Sequence, residues 1–142
     1  MNILDVIRNK YSLLPFNEVS FGFTSIMLFP CEEINDVIND KFLIIGYEDL
    51  CGDHLCVDIT SKLLPVYIAP LDGDLSIDCV SASFDNFVEI LKVFNELSID
   101  RDNPKKLENN PVPEDLKKKV LNQIRISNPG CEMYFWEGLF EV

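Results

Sequence analysis

Up to about residue 81 the apolar positions fall mainly into short runs, several alternating with a period of two, and after Ser83 the spacing becomes helical. At the start, Ile3, Leu4, Ile7 and Tyr11 lie at helical spacing and predict a short N-terminal helix. The Leu14-Pro15 pair ends it, because a residue before proline is pushed out of the α region. Phe21 to Phe29, rich in aromatic and branched residues, reads as one strand that Pro30 stops. In residues 31–40, Ile34, Val37 and Ile38 share a helical stripe and Glu32 and Glu33 suit a first turn, which predicts a short helix.

The next segment reads as a meander. Phe42 to Tyr47 is apolar on both faces, as expected of a strand central in its sheet. A turn at residues 48–53 leads into a strand where Leu55, Val57 and Ile59 alternate with Cys56, Asp58 and Thr60, which predicts one core face and one wet face. Residues 66–69 continue as a third strand, the Asp72-Gly73 pair suits a tight hairpin turn, and Leu75 to Ser81 closes the meander.

Phe84, Phe87, Val88, Leu91 and Phe94 then share one helical face, with Ser83 placed to cap the exposed amides. Residues 100–113 are polar and prolyl and read as an exposed connection between the body, residues 1–99, and a C-terminal tail, residues 114–142. In the tail, Pro113 suits a first turn, Glu114 and Asp115 are spaced to pair with Lys118 and Lys119, and Leu116, Val120 and Ile124 form an inward stripe. Asn128-Pro129 reads as a cap and first turn for a last element. Met133, Trp136, Leu139 and Phe140 fit a final helix, and an edge strand is the alternative.

With 142 residues, 47% of them hydrophobic, the chain matches a single domain. No apolar run reaches the length of a bilayer span and the opening residues lack an apolar export core, so the expectation is a soluble, cytoplasmic protein with no membrane partner. The five cysteines (Cys31, Cys51, Cys56, Cys79 and Cys131) are odd in number and scattered, which favours reduced thiols over a disulfide framework. Net charge is −12, from 24 acids against 12 bases. That field repels phosphate backbones, argues against direct nucleic-acid binding and favours a basic protein partner.

The only histidine, His54, sits between Cys51 and Cys56 and beside Asp53 and Asp58, which makes this stretch the obvious candidate for chemistry. Structural zinc wants four ligands in paired short spacings, and no second pair follows. A small hydrolase or zinc-dependent enzyme centred on His54 is the alternative reading of these residues. Against it, adjacent strand residues point to opposite faces, and the chain has neither a GxSxG elbow nor a glycine-rich phosphate loop. Asp72, Asp74 and Asp78 resemble part of a calcium loop, but Ile77 stands where that loop needs glycine. Lys117, Lys118 and Lys119 fan around a helix as a solvated face would, and Tyr134, Phe135 and Trp136 suit a chain end docking on the body. The expectation is therefore no catalytic residue, no metal and no cofactor.

Read together, Phe42 to Gly46, Gly52-Asp53 with Leu55 to Ile59, Pro65 to Ile68, and Ser83, Phe84 and Phe87 resemble the SUKH superfamily. That group includes fungal cell-wall-assembly (glucan-synthesis) regulators and many bacterial toxin-immunity proteins. The likeness covers roughly the middle 60 residues. After Leu14-Pro15 the chain departs from it, running through Phe16 to Phe29 without the Asn-Gly turn typical there. The resemblance implies an α+β fold, a mostly antiparallel sheet of about four to six strands with helices packed around it, and a non-enzymatic task performed by binding. The partner it implies is a protein, such as a basic nuclease toxin domain. Acids near the sheet turns, Glu48, Asp49, Asp53, Asp58, Asp72, Asp74 and Asp78, are the candidate partner surface, because acidic groups mimic the nucleic acid such a domain expects.

Overall fold

The computed structural model describes residues 2–12, 14, 16–70 and 77–141. The expected Asp72-Gly73 turn, the acids Asp72 and Asp74, and the Leu75-Ser76 end of the fourth meander strand lie outside the described residues.

The first helix, α1 (Ile3–Tyr11), begins where the Asn2 side chain accepts a hydrogen bond from the Asp5 amide at 2.9 Å. It buries Ile7 and Tyr11, and the Tyr11 hydroxyl donates to the Ile45 carbonyl at 2.8 Å. The single strand expected over Phe21 to Phe29 is instead a hairpin of β1 (Glu18–Phe21) and β2 (Thr24–Leu28). Gly22, at φ +59, makes the turn. Val19 and Phe21 alternate inward in one phase, Thr24, Ile26 and Leu28 in the other, and the phase changes at this glycine.

The helix expected over residues 31–40 is not present. Cys31–Glu33 form one 3-10 turn, and Val37–Ile38 form β3, paired with the following strand β4 (Phe42–Glu48). Asn39 and Asp40 both adopt φ 55 in the three-residue loop, residues 39–41, that joins β3 to β4, and the Lys41 amide donates to the Ile38 carbonyl. Ile34 alone of the expected stripe is buried, while Val37 and Ile38 are exposed.

The meander continues with β5 (His54–Asp58), β6 (Val66–Ala69) and β7 (Asp78–Ser81). The sheet order is β1-β2-β4-β5-β6-β7, every pairing is antiparallel, and β3 pairs with β4 off this path. A bulge between Ile44 and Gly46 shifts the register of β4 against β5. Leu43, Ile45, Leu55, Val57, Val66 and Val80 join the core cluster that the helices complete.

The wet face expected on β5 is covered: Cys56 and Asp58 are buried. Their cross-strand partners explain it. Phe42 lies opposite Asp58 and Tyr67 opposite Cys56, and the two rings meet edge to face at 5.4 Å over the strand between them. Lys41 lies 5.2 Å from the Phe42 ring centre, which adds cover at that end.

Helix α2 (Phe84–Leu97) forms as its pattern predicts, with Ser83 Oγ accepting from the Asn86 amide and Phe84, Phe87, Ile90, Leu91 and Phe94 buried. The stretch expected as an exposed connection carries a short helix, α3 (Pro104–Asn109), whose Leu107 is only 1% exposed. Leu107 sits over Gly22, where an added Cβ would come within 2.5 Å of its Cδ2.

In α4 (Glu114–Ser127) Val120 and Ile124 turn inward, whereas Leu116 is exposed. Glu114 reaches Lys117 at 4.0 Å, not Lys118. Asn128 caps the C-terminus of α4 and does not begin the next element. Its carboxamide oxygen accepts from the Ala82 amide at 2.8 Å and from Ser81 Oγ at 3.2 Å, tying α4 to the end of β7. Of the two alternatives for the chain end the helix holds, as α5 (Tyr134–Leu139). The architecture is α+β, an antiparallel sheet with helices packed around it. Among the described residues no helix is long and apolar enough to cross a membrane.

Candidate functional site

Glu48 ends β4 and organises the turn that follows. Its carboxylate accepts hydrogen bonds from the amides of Leu50 at 2.9 Å, Cys51 at 3.0 Å and Asp53 at 3.1 Å, and Gly52 takes φ +80 to bring the chain round. Glu48 is 4% exposed and both oxygens are engaged, so its charge serves the turn and is not presented to a partner. Glu48→Ala is expected to cost about 2 kcal/mol, because three amides lose a charged acceptor and only the outer ones regain water. Urea unfolding at neutral pH measures it, and an unchanged midpoint would mean the turn holds itself.

Asp49 is exposed at the tip of this turn and its carboxylate accepts from the Ser25 amide at 2.6 Å, which fastens the turn to β2. Asp53 is half-buried on the turn's other limb. Opposite them, Trp136 anchors α5, its indole N–H donating to the Val80 carbonyl at 2.8 Å. Between turn and helix lies a cleft of about 230 Å³ whose lining includes Glu48, Leu50, Cys51, Asp53, Tyr134 and Glu141. Among the described residues no lysine or arginine lines it.

Tyr134 stands at the edge of this cleft and donates its hydroxyl hydrogen bond to the Asp78 carboxylate. That bond, burial, and the charges of Asp78, Glu132 and Asp53 push the hydroxyl up to about 12. The folded state thus favours the neutral phenol. Its contribution to stability is complete below the unfolded value of about 10 and is lost as pH rises toward 12. Asp78→Asn removes the accepting charge and should bring this ionisation down toward the ordinary tyrosine range. Ultraviolet titration of wild type against Tyr134→Phe, with and without Asp78→Asn, isolates the step, and coincident difference curves would contradict it.

Among the described residues the predicted acids do not form one surface. Asp53 and Asp78 meet around Tyr134, with Asp49 on the same turn, and Glu48 faces inward. Asp58 lies at the far end of β5, roughly 13 Å from His54 along the strand. It is buried, accepts from the Thr60 amide and hydroxyl at 2.9 and 2.6 Å, and has Lys41 at 3.9 Å. Glu132 and Glu141 carry no local signal in the sequence, and Tyr134 reads there only as part of a docking chain end; the docking of α5 beside the β4–β5 turn brings them to the site.

His54 is half-buried on the opposite sheet face from Leu55, in a shallow depression with Phe29, Glu33, Asp36 and Ile44. Cys56 is buried, and desolvation, with a smaller effect of Asp36, pushes its thiol up to about 11. Cys51 is exposed on the turn, where Glu48 first, then burial and Asp53, raise its thiol. Raised thiols are poorer nucleophiles and ligands at neutral pH. Among the described residues no three His, Cys, Asp or Glu side chains converge to hold an ion, so Cys51, His54 and Cys56 are not brought together.

Comparison of the chain with family models, curated proteins and solved structures gives no match.

Proposed function

We propose that the protein is a non-enzymatic binding module of SUKH type, acting as an immunity protein that occupies a basic toxin domain such as a nuclease. The observation that carries this reading is the cleft between the β4–β5 turn and α5. Leu50 and Tyr134, 62% and 54% exposed, stand as apolar anchors beside Asp53, Asp78, Glu132 and Glu141, and among the described residues none that lines the cleft is basic. Exposed anchors ringed by charge are what a protein interface uses, the anchors for affinity and the charges for steering and choice of partner. The net charge of −12 extends the same field beyond the cleft.

The motifs behind the family resemblance occupy β4, the β4–β5 turn, β5, β6 and the start of α2, so they include one wall of the cleft, while α5, the other wall, lies outside them. A regulatory scaffold of the glucan-synthesis type would use the same mode of binding with a different partner.

The test is calorimetric titration against a panel of purified basic nuclease toxin domains, at low and high salt, with nuclease activity followed in parallel. The expected result is one domain bound at 1:1 and inhibited, with affinity falling at least about tenfold as salt rises from 50 to 500 mM. Binding to none of the panel, or binding indifferent to salt, would contradict the proposal.

A further inference from the structure

Cys79 and Cys131, 52 positions apart in the chain, place their sulfurs 3.2 Å from each other. Cys79 sits on β7 opposite Tyr67, on the sheet face away from the core, and its thiol also donates to the Ser81 carbonyl at 3.3 Å. Cys131 lies in the turn between α4 and α5. The backbone holds the two residues in place independently of their sulfurs: the Glu132 amide donates to the Cys79 carbonyl at 2.9 Å, and the Cys131 amide to the Asn128 carbonyl at 3.1 Å. On either side of this contact, Asn128 and Trp136 are hydrogen-bonded to Ala82 and Val80. Both cysteines are half-buried, which leaves them within reach of a small reagent, and neither belongs to the cleft.

We propose that Cys79 and Cys131 form a reversible disulfide, made by exchange with a small disulfide of the glutathione class, that staples the α4–α5 turn to the edge of the sheet. One cysteine thiolate attacks a sulfur of oxidised glutathione, forming a mixed disulfide and releasing one glutathione thiolate. The second cysteine then displaces the other glutathione. The protein dithiol loses two electrons and two protons, one glutathione disulfide becomes two glutathione thiols, and a dithiol reductant reverses the sequence. Burial and the hydrogen bond with Cys79 push the Cys131 thiol up to about 12, so closure is slow at neutral pH and quickens as pH rises.

The bond closes a long loop containing α2, α3 and α4, so it removes much of the freedom of the unfolded chain while asking for little movement in the folded one. It acts on β7 and the start of α5 and requires no partner, so its test is separate from that of the binding reading.

The experiment equilibrates the full chain with oxidised glutathione at pH 8, blocks free thiols and digests with trypsin. Cys79 is then the sole cysteine of peptide 63–92 and Cys131 of peptide 126–142, so the cross-link is assigned without ambiguity. The expected result is a covalent pair of these peptides, 2 Da lighter than their sum, together with a rise in Tm of about 5 to 10 °C. Dithiothreitol should reverse both, and Cys131→Ala should abolish both. Alkylation of both residues after oxidation, a separate glutathione on each, or a cross-link with no change in Tm would each overturn the proposal. The mapping on unmodified protein stands even where the variant folds poorly.

Discussion

Replacing Trp136 by alanine is expected to lower stability by about 3 to 5 kcal/mol, among the largest losses any single side chain here can produce. The indole is fully buried, stacks on Phe94 at a centroid distance of 5.8 Å, and touches the rings of Phe87 and Phe135. Helix α5 spans only Tyr134–Leu139, too short to persist unless docked, and Trp136 is the largest of the side chains that dock it, with Leu139 and Phe140 beside it. Alanine leaves a large cavity between α5 and α2 and strips the Val80 carbonyl of its donor. Trp136→Phe keeps an aromatic ring but loses the indole N–H and part of the buried volume, and the expected cost is smaller, about 2 kcal/mol. Trp136 is the only tryptophan, so unfolding is followed by far-ultraviolet circular dichroism in urea. A midpoint for Trp136→Ala within error of wild type would mean that α5 does not hold the body together.

Gly46→Ala is the second large effect, and it acts through the backbone. A Cβ at this position would stand 2.1 Å from the Met27 carbonyl oxygen and 3.1 Å from the Leu28 Cα, neither of which can move unless β2 separates from β4. Gly46 also adjoins the bulge that shifts the register of β4 against β5. The expected cost is about 3 kcal/mol or more, with loss of soluble yield. Gly138→Ala is the control, since an added methyl in α5 meets nothing within 4 Å and alanine favours helix. Equal stability of Gly46→Ala and Gly138→Ala would show that β2 and β4 do not approach as closely as described.

The parts of this fold readable from sequence are those where local pattern and tertiary demand agree. Helix α2 is legible because Ser83 and the spacing of its phenylalanines leave no competing pattern. Strands β4, β5 and β6 are legible because each pairs with its sequence neighbour. Ile34, Val37 and Ile38 mislead because three apolar residues at that spacing suit a helix and a turn-plus-strand equally. The deciding feature is the left-handed Asn39-Asp40 pair, which binds Val37 and Ile38 to β4. The hairpin at Gly22 is marked only by a slip in alternation, and Leu107 is buried because that distant glycine leaves room for it.

The site divides the same way. Asp53 is visible as a turn acid, whereas Tyr134 reaches Asp78 across 56 positions of sequence. Asp58 and Glu48 read as surface acids because nothing local shows that Thr60 and the turn amides take up their charge.

The most direct test of the binding reading is a pair of charge reversals read by the association rate with the nuclease domain that the panel identifies. Asp53→Lys places a cation inside the cleft, while Asp85→Lys places one on the exposed first turn of α2, outside the cleft lining. Both change the net charge by the same amount, so long-range repulsion is matched; Asp85→Lys also breaks the Lys10–Asp85 pair at 2.6 Å, which lies outside the cleft lining. If the cleft receives the partner, Asp53→Lys slows association at least about tenfold at low salt and speeds dissociation, while Asp85→Lys changes either rate less than about threefold. Equal effects from the two reversals, or full binding by Asp53→Lys, would contradict a partner seated between the β4–β5 turn and α5.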